Sequence, residues 1–109
     1  LSFITEWFKA SLEQELTLKI IAERFNYSPA YLSRMFSREM GMTLTEYIRM
    51  QRIERAKSLL GNSSISVEEV ASLCGFHDEK YFMRCFKKQE LITASQYREA
   101  FNKTQINNK

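Results

Sequence analysis

The chain repeats itself, and that repeat restricts its fold more than any other feature. At an offset of 49 residues Leu16 matches Ile65, Thr17 Ser66, Leu18 Val67, Ile21 Val70, Ala22 Ala71, Asn26 Gly75 and Tyr27 Phe76. One extra residue near His77 moves the offset to 50. Tyr31 then matches Tyr81, Leu32 Phe82, Arg34 Arg84, Phe36 Phe86, Thr43 Thr93 and Tyr47 Tyr97. Any fold for these 109 residues must build the same local unit twice, as one domain or as two very small ones.

Apolar residues within each copy recur at helical spacing, so the fold class is all-α, with about seven helices. Phe3, Ile4, Trp7, Phe8 and Leu12 form one face of a first helix over residues 2–13. Thr17 caps a second helix whose stripe is Leu18, Ile21, Ala22 and Phe25. Asn26, which tolerates positive φ, suits a sharp turn. Ser28 as N-cap and Pro29 at the first position then open a third helix that runs to Glu39 and ends at Gly41. In the second copy Ser66 and Glu69 form a capping box and Val67, Val70, Ala71 and Cys74 the stripe. Gly75 takes the turn, and Asp78 caps a helix over 79–89. Thr93 with Gln96 opens a last helix that buries Tyr97 and Phe101, leaving residues 104–109 as a frayed tail.

Between the copies lies Thr43–Leu60, a single long helix with a T-x-x-E box at Thr43 and Glu46 and a stop at Gly61 and Asn62. Leu44, Tyr47 and Ile48 close the first unit, and Ala56, Leu59 and Leu60 open the second. This organisation divides the chain at 1–50 and 51–103, with helix 43–60 shared. At about 1.5 Å per residue the shared helix is roughly 27 Å long. The sequence thus casts it as a spacer between the two units.

The net charge is only +3, but its distribution is uneven. Residues 28–60 carry six basic and three acidic side chains, residues 61–79 none and four, and residues 80–109 seven and two. Two basic blocks around an acidic one suit two contacts with a polyanion; solvated helix faces are the plainer alternative. Other chemistry finds little support. Cys74 and Cys85 lack a C-x-x-C arrangement and His77, the single histidine, has no partner at ligand spacing; no metal or cofactor is expected. The cysteines read as small core residues in a reducing cytoplasm. There is no Gly-rich phosphate loop and no catalytic constellation, so an enzyme is not expected. No apolar run reaches the ~20 residues of a membrane span. The chain begins at Leu with a helix already running, which suggests a piece of a longer protein.

The third and sixth helices carry the binding signal. Behind Leu32, Met35 and Phe36, the front of the third helix holds Ala30, Ser33, Arg34, Ser37 and Arg38. Behind Phe82, Cys85 and Phe86, the front of the sixth holds Lys80, Met83, Arg84, Lys87 and Lys88. A short helix, a tight turn and a helix with an apolar back and a cationic front make a helix-turn-helix unit, whose second helix enters the major groove in DNA-binding versions. Arg34 and Arg84 are the candidates for bidentate contact with guanine, the alternatives being a phosphate contact or a surface ion pair. Arg38, Lys87 and Lys88 suit the phosphate backbone. Arg49, Arg52 and Arg55 on the long helix read as solvated, with backbone contact as the alternative, and His77 as a turn residue.

The segments LTLKIIAERFNYSPAYLSRMFSREMGMTLTEYI, RIERAKSLL and VEEVASLCGFHDEKYFMRCFKKQ together resemble the DNA-binding domain of the AraC/XylS family of bacterial transcription regulators. The resemblance covers residues 3–100, and its most specific part is A-x-x-C-G-F…Y-F-x-R-x-F-K-K. It implies two helix-turn-helix units joined by a long helix, double-stranded DNA as partner, and transcription activation. It also implies a separate sensing or dimerising domain upstream. Carried over, it implies Ala30, Ser33, Arg34, Glu79, Lys80, Met83 and Arg84 facing bases, with Ser37, Arg38 and Lys87 nearer the backbone. Glu79 at such a position is repelled by phosphate but can accept from cytosine N4; capping its own helix is an equal alternative. The family often has Gly after the second recognition helix and Pro in the next turn, where this chain has Leu91 and Ala94. A leucine at positive φ is strained, so a different turn is expected there. A helical module docking on RNA polymerase or another protein, through the acidic stretch 61–79, is the competing reading.

Overall fold

Six helix starts are set by one short polar side chain each. Thr17, Ser28, Thr43, Ser66, Asp78 and Thr93 accept from the backbone N–H of Ile20 (3.1 Å), Tyr31 (3.2 Å), Glu46 (3.1 Å), Glu69 (3.0 Å), Lys80 (2.9 Å) and Gln96 (3.1 Å). Each bond satisfies a donor that the helix itself leaves open. At Thr93 the box is reciprocal: Gln96 Oε1 accepts from the Thr93 N–H at 2.9 Å.

A computed structural model describes residues 2–107. The described residues form seven helices and no strand: α1 (Ser2–Ala10), α2 (Leu18–Phe25), α3 (Pro29–Met40), α4 (Leu44–Asn62), α5 (Val67–Leu73), α6 (Glu79–Glu90) and α7 (Ala94–Asn107). They make two compact units that divide between Gln51 and Arg52, inside α4.

The first unit packs Ile4, Phe8, Ile21, Ala22, Leu32, Phe36, Leu44, Tyr47 and Ile48 into one core. Phe36 of α3 meets Tyr47 of α4 edge-on at 5.3 Å, and Phe8 closes the triangle at 6.2 and 6.0 Å. The second unit packs Ile53, Ala56, Leu60, Val70, Ala71, Cys74, Phe76, Phe82, Phe86 and Ala94. Phe86 and Tyr97, the repeat partners of Phe36 and Tyr47, meet edge-on at 5.7 Å. Edge-on pairs of this kind suit the aromatic quadrupole.

The turns between helices repeat as well. Asn26 (φ 60°) and Gly75 (φ 88°) are both left-handed. In each copy the following aromatic donates back across the turn, Tyr27 to the Ala22 carbonyl and Phe76 to the Ala71 carbonyl, both at 2.9 Å. These bonds satisfy carbonyls at the helix end.

Five expectations need correction. The first helix stops at Ala10, and Leu12 reaches the core through a turn in which Ser11 N–H donates to the Phe8 carbonyl and Gln14 N–H to that of Ser11. Phe3 is 57% exposed, although its ring still leans on Phe25 at 5.6 Å. Gly61 and Asn62 are the last two residues of α4, and neither takes the left-handed conformation expected to stop it. A Cβ on Gly61 would sit 3.0 Å from the ring of Phe101, so glycine here serves close packing. The tail is helical to Asn107, since nothing after Thr93 breaks the helix; residues 108 and 109 lie outside the described residues.

The fifth correction concerns Leu91, which adopts the left-handed conformation (φ 71°) that Gly41 (φ 72°) adopts in the first unit. Both cap their helix, Leu91 donating to the Lys87 carbonyl at 2.8 Å and Gly41 to that of Ser37 at 3.0 Å. In both copies the next N-cap follows two residues later. That short connection needs the same turn whether or not glycine is present. A leucine pays about 1–2 kcal/mol for it, and at 81% exposure its side chain recovers little by burial. Leu91→Gly is therefore expected to stabilise the protein by about 1 kcal/mol, after the entropy that glycine adds to the unfolded chain. Urea unfolding checks this by a higher midpoint at unchanged slope.

Within the second unit Lys57 ties α4 to the end of α6, with Nζ 3.1 Å from Glu90 and 3.3 Å from Glu54. It also lies 6.0 Å from the centre of the Tyr97 ring. Burial disfavours its charge, but the hydrogen bonds and charges of the two carboxylates outweigh that and raise its pKa. While Glu54 and Glu90 are ionised, a raised lysine pKa stabilises the fold fully below the unfolded value of about 10.4, and that contribution is lost as pH rises through the folded value. The stability gap between the native chain and Lys57→Met is expected to stay constant through neutral pH and narrow only above about 10.4, as read by thermal melts across pH.

Candidate nucleic-acid interface

The rotation of α3 and α6 about their own axes is set by what they bury. Leu32 and Phe36 on α3, and Phe82 and Phe86 on α6, are fully buried. With one i, i+4 pair fixed against the core, the opposite side of each helix must face solvent. On α3 this exposes Ala30, Ser33, Arg34 and Arg38 and leaves Ser37 half-buried. On α6 it exposes Lys80, Met83, Arg84, Lys87 and Lys88 and leaves Glu79 half-buried. Nine of the eleven residues expected at the interface are thus exposed, and Ser37 and Glu79 are half-buried.

The two fronts differ in detail. Arg34 makes no ring contact or ion pair among the described residues. Arg38 lies 3.6 Å from Glu39, and both are well exposed. Such a pair is weak and leaves the arginine able to turn to another anion. Arg84 instead lies over the Tyr81 ring, 5.8 Å from its centre. Met83, 43% exposed, places apolar surface among the cations. Met83, Arg84, Lys87, Lys88 and Thr93 line one shallow groove between the front of α6 and the start of α7.

Asp78 caps α6, which removes that role from Glu79. Glu79 occupies the first helical position, where its charge complements the helix dipole. Arg52 also departs from expectation. It is half-buried, and burial pulls its guanidinium pKa down, opposed by Cys74 and Tyr81 nearby. Arg49 is half-buried too, and only Arg55 of the three is exposed. His77 is exposed in the turn before α6. Neither cysteine forms a disulfide among the described residues; Cys74 is buried and Cys85 half-buried. The described residues hold no group of three metal-ligating side chains and no helix long and apolar enough to cross a membrane.

Sequence reasoning overlooked three residues here. Thr93 counted only as a cap, yet it lines the groove. Tyr31 and Tyr81, 45% and 41% exposed, stand one turn before Arg34 and Arg84. Their signal was present: the same aromatic recurs at the same repeat position, three residues ahead of the same arginine.

A model of the helix-turn-helix domain matches residues 21–100. An uncharacterized HTH-type transcriptional regulator of Escherichia coli K12, YpdC, is 36% identical over 98 residues, which is 90% of this chain and 34% of the relative. The HTH-type transcriptional activator RhaR of Salmonella schwarzengrund is 33% identical over 94 residues, 86% of this chain and 33% of that protein. The chain therefore spans about a third of the length of these curated relatives. Among solved structures, the C-terminal domain of the two-component response regulator yesN from Fusobacterium nucleatum has a TM-score of 0.84 at 35% identity, over 89% of this chain and 95% of that one. The DNA-binding domain of AdpA, a global transcriptional factor solved in complex with a target DNA, has a TM-score of 0.90 at 26% identity, over 94% and 93%.

Proposed function

Because the chain belongs to the AraC/XylS family of helix-turn-helix transcription regulators, we propose that it binds double-stranded DNA by sequence, each unit offering its second helix to a major-groove segment. The observation that carries this reading is the pair of exposed cationic fronts on α3 and α6, repeated in register and backed by the same buried pairs. An α-helix fits the major groove, and arginine there meets guanine O6 and N7 with two parallel hydrogen bonds.

In this reading Ala30, Ser33 and Arg34 face bases in one segment, and Glu79, Lys80, Met83 and Arg84 in the other. Arg34 and Arg84 each take a guanine. Ala30 and Met83 suit thymine methyl groups, and Glu79 the amino group of a cytosine. Ser37, Arg38, Lys87 and Lys88 hold phosphates, which sets register without reading sequence. The groove of Arg84, Lys87, Lys88 and Thr93 offers cations and a hydroxyl to a passing strand. The protein acts without catalysis, in the bacterial cytoplasm where its DNA lies. Relatives named as activators favour activation over repression, with RNA polymerase as the further partner that activation implies.

Selection from a random DNA pool is expected to return an asymmetric motif with two blocks about one helical turn apart; a single short block would limit reading to one unit. Arg34→Ala or Arg84→Ala is expected to cost about 1–3 kcal/mol and to relax preference at one base pair. Equal loss on all sequences would reassign that arginine to the backbone. Lys87→Ala is expected to weaken all sequences alike and to lower the slope of log affinity against log salt by about one.

A further inference from the structure

We propose that Tyr81 is a positioning residue for base reading by the second unit: its ring holds the Arg84 guanidinium in the pose that meets the base, a device the first unit lacks at Arg34. This rests on the reading of Arg84 as a base contact. Residues three apart on a helix are neighbours on its surface. Tyr81 and Arg84 use that spacing, with the guanidinium carbon 5.8 Å from the ring centre.

The platform is braced. The Tyr81 ring leans on Phe76 at 6.0 Å, and Phe76, itself buried, packs on Phe82 at 5.1 Å. Phe82 is fully buried in the core of the unit. A line of three rings thus runs from the core to the exposed front of α6 and ends beneath Arg84. A free arginine at a protein surface samples many rotamers, and all but one must be given up on meeting a guanine. A guanidinium already seated on an aromatic face has given up part of that freedom before binding.

The first unit makes the contrast. Tyr31 occupies the matching position, is 45% exposed, and pairs with Tyr27 at 5.5 Å. Arg34, three residues on, touches no ring among the described residues. The two rings are four residues apart in the first unit and five in the second, because the second turn holds one more residue. Among the described residues the repeat therefore delivers one arginine seated on a ring and one without a ring contact from nearly the same sequence.

The test uses the DNA site recovered by pool selection and its single-base variants, with dissociation constants measured for Tyr81→Leu, Tyr81→Phe, Arg84→Ala, the Tyr81→Leu/Arg84→Ala double variant and Tyr31→Leu. Tyr81→Leu is expected to lower discrimination at the base pair that Arg84 reads by roughly two- to five-fold, the range of an exposed cation–π contact. Tyr81→Phe keeps the ring and is expected to keep that discrimination. In the Arg84→Ala background Tyr81→Leu is expected to change discrimination no further, and Tyr31→Leu is expected to leave discrimination under Arg34 intact. If Tyr81→Leu weakens all sequences equally, or acts as strongly without Arg84, the ring is structural and the inference falls. Should Tyr81→Leu fail to fold, Tyr81→Gln at this exposed helical position answers the same question. If Arg84→Ala itself leaves every base preference unchanged, the base-contact reading of Arg84 falls and the inference with it. If only Arg84→Ala relaxes preference, the inference alone is overturned.

Discussion

Everything that this chain presents to a partner depends on two buried pairs, Leu32 with Phe36 and Phe82 with Phe86. Each pair sits at i and i+4 on a twelve-residue helix. Fixing such a pair against a core fixes the rotation of the helix, and every outward side chain follows from that rotation. The cationic front is therefore a consequence of packing. Truncating either phenylalanine would cost several kcal/mol, typically 3–5 for a buried ring, and would also free the helix to turn.

The rings behind the pairs convert this local rule into a unit. Phe36 and Phe86 meet Tyr47 and Tyr97 of the following helix edge-on, at 5.3 and 5.7 Å. On the other side, a left-handed residue and a bond back across the turn fix how the preceding short helix enters, at Asn26 in one copy and Gly75 in the other. Helix, turn and helix are thus held at both ends of the recognition helix. A 109-residue chain with small cores has little stability to spare, and the six side-chain caps matter correspondingly.

The two units have the same plan and different finish. The first ends its recognition helix with Gly41, the second with a leucine held at φ 71°. Among the described residues the first sets no ring against Arg34, and the second sets Arg84 over one. The first has Ala30 and Ser33 around Arg34, small groups that let backbone approach backbone. The second has Lys80 and Met83 around Arg84, long groups that reach.

What the sequence determined alone was everything set by short range: which residues lie at helical spacing, where a hydroxyl can cap, where a turn needs Asn or Gly, and that the pattern occurs twice. The all-α class, the seven helices and the exposed side of α3 and α6 follow from that, because a helix repeats every 3.6 residues whatever surrounds it. The tertiary structure decided whatever depends on residues far apart in the chain or on competing local terms. Gly61 is helical and leaves room for the ring of Phe101 where a Cβ would stand, and no sequence window joins the two. Arg52 is half-buried, with Cys74 and Tyr81, more than twenty residues away in the chain, near enough to act on its charge. Leu91 took a glycine's conformation because a two-residue connection to the next cap outweighs the strain of one leucine. The pairing of Arg84 with Tyr81, absent from the matching residues of the first unit, needed the rotamers that packing selects.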